Sequence, residues 1–211
     1  MKKILVTTLF IGLLTCCAFL VFEPSPILAD TEADSFTTSL IVTSDISISD
    51  CPNITLTAIG LTADASIGST TCSVDTTNSA GYTLSVAAST SPALKSGSNY
   101  FSDKSTSTMP SAWSDPGNNN QFGFSLYGPN VTSATWGTPG TDYCGSTTPT
   151  AINSNLKWYG FMTLGTTTIT TSTSTVAAIP FIFCVAAEQG ATSNAPSGAY
   201  YSTSTLTVTT R

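Results

Sequence analysis

The residues of this chain best equipped for chemistry are cysteines, and the chemistry their context favours is oxidation. Cys51, Cys72, Cys144 and Cys184 all follow a leader-like amino terminus, and they fall in no Cys-x-x-Cys spacing. A zinc site normally draws on such spacing or on histidine. The chain has no histidine at all. Four cysteines allow three pairings. We expect Cys51 with Cys72, closing a short loop, and Cys144 with Cys184, tying a Gly/Thr-rich loop to an apolar strand. By loop-closure entropy each bond would contribute roughly 3 to 4 kcal/mol.

The missing histidine also removes the usual general base and the usual proton switch near neutral pH. What remains for catalysis is serines without a base and a few carboxylates, of which Asp142 and Glu188 lie near the second expected disulfide. A carboxylate pair must flank a cleft to cleave a glycosidic bond, and sequence alone shows no cleft. No Gly-x-Ser-x-Gly, Ser-x-x-Lys or phosphate-binding glycine loop is present. We expect no enzyme, no metal and no cofactor. Asp115, Asn118 and Asn120 could offer oxygens to calcium, but a Pro-Gly-Asn turn explains them equally well.

Aromatic stacking is the chemistry that survives. Trp113 and Trp136 sit in loop-like stretches, where a flat apolar ring with a polar edge could stack on a sugar. Trp158 lies in an apolar segment and is expected in the core. Nucleic acid is an improbable partner for this composition. The formal net charge is −6, and beyond the leader only Lys95, Lys104, Lys157 and Arg211 are basic, too scattered to neutralise a phosphate backbone. An anionic membrane surface is disfavoured for the same reason.

The elements that must position these groups read as strands. Met1-Lys2-Lys3, an apolar run from Ile4 to Phe22 and the small Ala29 make the three parts of an export signal, with cleavage expected after residue 29. Contact with a membrane is expected only if that segment is retained. Residues 30–211 then form a single domain, secreted and in an oxidising compartment where disulfides persist.

Within it, Val74, Tyr82, Leu84 and Val86 alternate with hydroxyl and acidic residues at period two, around a Thr-Asn-Ser-Ala-Gly turn. This predicts a hairpin with one buried face. Phe36, Leu40, Val42, Ile46 and Ile48 share one parity and predict a long first strand or two short ones in line, and Ile54, Leu56 and Ala58 predict the next. Residues 89–120 read as a polar loop region. Phe122, Phe124 and Leu126 alternate again, whereas Leu156 to Met162 and Val176 to Ala187 are apolar on both parities, as strands buried on two faces should be. Abundant Ser and Thr fit the wet face of a sheet. Eight or nine short strands without helices predict an all-β fold, an antiparallel β-sandwich of immunoglobulin-like or jelly-roll type.

The stretch Val74-Asp-Thr-Thr-Asn-Ser-Ala-Gly-Tyr-Thr-Leu-Ser-Val86, the strand Phe122-Gly-Phe-Ser-Leu126, and the terminal run from Gln189 through Gly198-Ala199-Tyr200 to Leu206-Thr207-Val208 resemble exported bacterial β-sandwich surface proteins. These are of pilin-like, spore-coat-like and cell-wall-associated style. The Trp-x-Leu motif of one cell-wall group is lacking. The resemblance implies a secreted or cell-surface structural or adhesion protein, a filament or coat subunit, that associates with itself or with extracellular matrix components. A carbohydrate-binding module using Trp113 and Trp136 is the alternative, with a glycan as partner. A polysaccharide hydrolase is the third and least favoured reading.

Overall fold

Alternation at period two is the chief instruction in this sequence, and the chain answers it with a β-rich fold. In the computed structural model, residues 39–41, 43–60, 65–104, 109–114, 117–139, 144, 152, 155–161, 167–192 and 195–211 are described. The expected signal segment 1–29 lies outside them, as do Phe36 and Val42. Residues 42–211 form one unit and residues 1–41 another. Among the described residues no helix is long and apolar enough to cross a membrane.

The elements of the larger unit are β1 (Ile46–Ser49), β2 (Ala65–Thr76), β3 (Tyr82–Ala88), β4 (Leu94–Ser96), β5 (Asn99–Asp103), β6 (Ser111–Ala112), β7 (Gln121–Tyr127), the single helical turn α1 (Ser133–Trp136), β8 (Lys157–Trp158), β9 (Thr167–Thr171), β10 (Val176–Glu188) and β11 (Ser204–Thr210). One sheet runs β1-β2-β10-β7-β5-β4, a second runs β11-β3-β9, and β6 pairs with β8. The expectation of purely antiparallel pairing needs one correction: β5 runs parallel to β7, with Ser102 opposite Gln121 and Asp103 opposite Phe122. The region expected as a polar loop, residues 89–120, supplies three short strands.

A second correction concerns residues 72–88. Both strands form where alternation places them, but they do not pair with each other. β2 pairs with β1 and β10, while β3 pairs with β11 and β9 in the other sheet. The turn is an arch between sheets. Asn78 holds it, its Oδ1 accepting from Ala80 N at 3.2 Å and its Nδ2 donating at 3.0 Å to the carbonyls of Gly81 and Arg211. Gly81 has φ +82, and a Cβ there would run into the backbone of Ser172, so glycine is required on both counts.

The long strand β10 lies between β2 and β7 and is covered on both faces from Phe181 onward, whereas Val176, Ala177, Ala178, Ile179 and Pro180, also expected to be buried, stay half-buried or exposed. Phe181, Phe183, Val185 and Ala187 oppose Cys72, Thr70, Gly68 and Ser66 on one side; the last three oppose Leu126, Phe124 and Phe122 on the other. This face belongs to a broad core that also takes Tyr82, Leu84 and Val86 of β3, Ile169 of β9 and Trp136. Phe124 stands at its middle, with ring centroids 4.7 Å from Phe161 and 5.4 Å from Phe183. The opposite face of β10 carries Cys184 and Ala186, which meet Leu156, Trp158 and Cys144 in a smaller core.

Each face has its disulfide, in the pairing expected. Cys51–Cys72 spans Cα atoms 4.6 Å apart on the broad-core side, and Cys144–Cys184 spans 5.9 Å on the small-core side. The first bond anchors residues 51–60, which were expected to include a strand over 54–58 and instead make an irregular strap. Ile54, Leu56 and Ile59 pack on the broad core, and Thr57 shares a 2.9 Å hydroxyl hydrogen bond with Ser66. Gly68 leaves the room: a Cβ there would lie 3.1 Å from a Leu56 methyl.

Candidate functional site

The tryptophans expected to bind ligand are separated by the fold. Trp136, at the end of α1, is 2% exposed and donates its Nε1 to Ile169 O at 2.8 Å. It therefore offers no face to a ligand, and the expectation for it is replaced by a core role. Trp113 is half-buried, edge-on to the buried Trp158 at 5.3 Å, with Lys104 Nζ 5.7 Å from its ring centroid. Its Nε1 donates to Glu188. One face of Trp113 is thus taken by a lysine and its polar edge by a carboxylate, an arrangement that braces the small core. Burial pushes the Lys104 ammonium below the usual lysine range.

The oxygens considered for calcium are also in use. Asn118 Oδ1 accepts from Thr192 Oγ1 at 2.7 Å, and Asn120 Oδ1 accepts from Gly190 N at 3.2 Å. These bonds latch the 117–120 turn to the end of β10. Asp115 and Asp142 lie outside the described residues, and among those described no cluster of three metal-ligating side chains occurs.

Three pairs of adjacent residues build a different surface. Leu94-Lys95, Tyr100-Phe101 and Tyr200-Tyr201 each put one side chain inward and one outward, as alternation in a strand requires. In the β4–β5 hairpin, Leu94 opposes Phe101 and Lys95 opposes Tyr100. Tyr201 then bridges Lys95 from the other side, with Lys95 N donating to Tyr201 O at 3.1 Å and Tyr201 N to Lys95 O at 2.9 Å.

Directly opposed residues of antiparallel strands share a face. Tyr100, Lys95 and Tyr201 therefore make one row, a cation between two phenols that are 52% and 74% exposed. Two interstrand steps set the tyrosines about 10 Å apart. Beside the row lies a groove of about 350 Å³ edged by the hydroxyls of Ser89, Thr90, Ser96 and Thr203. The inward partners Leu94, Phe101 and Tyr200 line a second, more apolar cavity beyond the same segment.

No family model, curated protein or solved structure matches the chain. The surface must therefore be read from its own groups. Two stackable rings, a central cation and a border of hydroxyls can hold a flat polar molecule that carries ring C–H faces and acceptor oxygens. Sequence reasoning missed this row because Tyr201 joins it from far along the chain. The signal available was only the repeated neighbouring of an aromatic or apolar residue with Tyr or Lys.

Near the inner side of the same hairpin, Asp103 Oδ1 accepts from Ala93 N at 3.2 Å. Burial pushes its carboxyl up to about 6, a rise that the Ala93 bond partly opposes.

Proposed function

We propose that this is a secreted or cell-surface structural and adhesive protein, a β-sandwich of immunoglobulin-like or jelly-roll type whose adhesive face is the Tyr100–Lys95–Tyr201 row. The observation that carries the reading is that row: two exposed aromatic rings in register across three paired segments, next to a hydroxyl-edged groove. Two disulfides fit an oxidising, extracellular setting, and the contribution of both larger sheets to one core supports a sandwich. The ligand class is a glycan of a surface or matrix, since sugars offer both C–H faces for the tyrosines and hydroxyls for the groove. Carbohydrate binding thereby moves from the tryptophans to the tyrosines.

A glycan array probed with the full chain and with Tyr201→Ala, Tyr100→Ala and Trp113→Phe tests this. Each tyrosine variant is expected to lose at least about tenfold in affinity, in line with one aromatic contact per ring, and Trp113→Phe to keep its signal. An array on which the full chain binds nothing, or on which both tyrosine variants bind as well as the parent, overturns the reading.

A further inference from the structure

We propose that the glycan held at the Tyr100–Lys95–Tyr201 row is an acidic one, with a carboxylate or sulfate ester of one sugar paired to the Lys95 ammonium. The inference rests on the reading of that row as a glycan face and adds the charge of the ligand.

Among the described residues, Lys95 is the one charged side chain that lines the groove of about 350 Å³, and no carboxylate lines it. The bonds Lys95 makes to the described protein all run through its backbone, so its ammonium is left without a partner. The other two described lysines are engaged: Lys157 Nζ donates to Ala134 O at 2.7 Å, and Lys104 Nζ lies over the Trp113 ring. Carboxylates are not scarce in a chain whose formal net charge is −6. They are kept off this face. Asp103, the acid of the same hairpin, shares the parity of the buried Phe101 rather than that of Tyr100, and its Oδ1 accepts from Ala93 N.

The other polar groups of the groove suit the same ligand. The hydroxyls of Ser89, Ser96 and Thr203 line it and bond to no described residue, and a hydroxyl can donate. An ammonium beside donor hydroxyls, with no competing carboxylate, is complementary to an oxyanion, whose hydrogen bonds to a cation are stronger than those between neutral groups. Neighbouring strands lie about 5 Å apart, so a tyrosine flanks the cation on each side at about that distance. A chain of sugars can lay rings against both phenols and present its acid between them. A densely charged polyphosphate would find no second cation in the groove.

Calorimetric titration of the full disulfide-bonded chain with hexasaccharides of hyaluronan, carboxyl-reduced hyaluronan, keratan sulfate and desulfated keratan tests this. At low ionic strength at least one acidic sugar should bind about fivefold or more tightly than its neutral counterpart, between the worth of an exposed ion pair and that of a hydrogen bond to a charged group. The margin should shrink as salt is added. Lys95→Gln should erase it and Lys95→Arg should keep it. A margin for hyaluronan alone assigns the carboxylate, one for keratan sulfate alone the sulfate ester, and one for both an oxyanion of either kind.

Equal binding of each acidic sugar and its neutral counterpart by the parent protein overturns the inference, and that comparison needs no variant. A margin that survives Lys95→Gln, or no binding of any of these sugars, equally overturns it. The glycan face itself outlives the first result if Tyr100→Ala and Tyr201→Ala still weaken binding of the neutral sugars, and outlives the last if other glycans on the array bind through the tyrosines.

Discussion

The two faces of β10 solve the same burial problem by different means. On one, Phe181, Phe183, Val185 and Ala187 join a core fed by β2, β3, β7 and β9, with aromatic rings touching in several directions around Phe124. On the other, Cys184 and Ala186 meet Leu156, Trp158 and Cys144, with Trp113 edge-on and Ile67, Tyr127, Ile152 and Ile182 only partly buried around them. Support on the first face is distributed, so each group shares its load with many. Support on the second is concentrated in a tryptophan pair, a lysine over a ring and a disulfide. Both faces carry a disulfide, and a covalent bond matters most where apolar area is scarce, as it is around Cys144–Cys184.

The sharpest way to break this comparison is Phe124→Ala. Removing the ring at the centre of the broad core should cost about 4 kcal/mol and lower the midpoint of a cooperative denaturant transition seen equally from both faces. Replacing Cys144 and Cys184 together by alanine should cost roughly 3 to 4 kcal/mol by loop-closure entropy, and with a different distribution. Hydrogen exchange should quicken at Leu156–Tyr159 while Tyr82–Ala88 keeps its protection. Uniform quickening would mean that the two faces are one cooperative core.

A smaller effect separates the strap from the sheet beneath it. Gly68→Ala should cost about 1 to 3 kcal/mol, the range for overpacking, because its Cβ would press on Ile54 and Leu56. Thermal melting measures this, and a neutral result would show that the strap yields freely.

Asp103→Asn tests the electrostatics of the β5 edge. The folded chain holds the Asp103 proton up to about 6, against 3.8 for the ordinary carboxyl. Charging it therefore works against folding above about 6, and this penalty disappears as pH falls toward 3.8. The variant keeps an oxygen for Ala93 N, so it should melt higher than the parent at pH 7.5 and level with it at pH 4. A gap of constant size across that span would remove Asp103 as the cause. Least of all, Tyr201→Ala should change stability by no more than about 0.5 kcal/mol, as an exposed side chain outside either core.

Period two made the faces of the strands legible. Val74, Tyr82, Leu84 and Val86 are buried as their parity predicts, and the disulfide partners follow from loop length and texture. Of the runs expected to be buried on both faces, residues 156–161 and 181–187 lie between two cores, whereas Val176, Ala177, Ala178, Ile179 and Pro180 stay half-buried or exposed and Met162 lies outside the described residues. What period two does not encode is which strand lies alongside which. Hence β2 and β3 read as a hairpin although they belong to different sheets, and residues 54–58 read as a strand although no strand among the described residues pairs with them. The same gap hid which aromatic rings reach the surface. Trp136 looks available because its neighbours are loop-forming, yet Ile169 from a distant strand covers its indole N–H, while Tyr100, Lys95 and Tyr201 become a row only once the chain end returns to β4.

The arch at Asn78 has a consequence for when the protein can fold. Because β2 and β3 turn away from each other, most of each is paired by a late partner: Cys72 of β2 sits across from Phe181, and Val86 of β3 across from Leu206, while β1 meets only the last four residues of β2. Such distant pairings delay ordering until most of the chain has emerged. An amino-terminal portion made first can pair β1 with β2 but lacks β10 and β11, so neither large sheet is complete until nearly the whole chain is present.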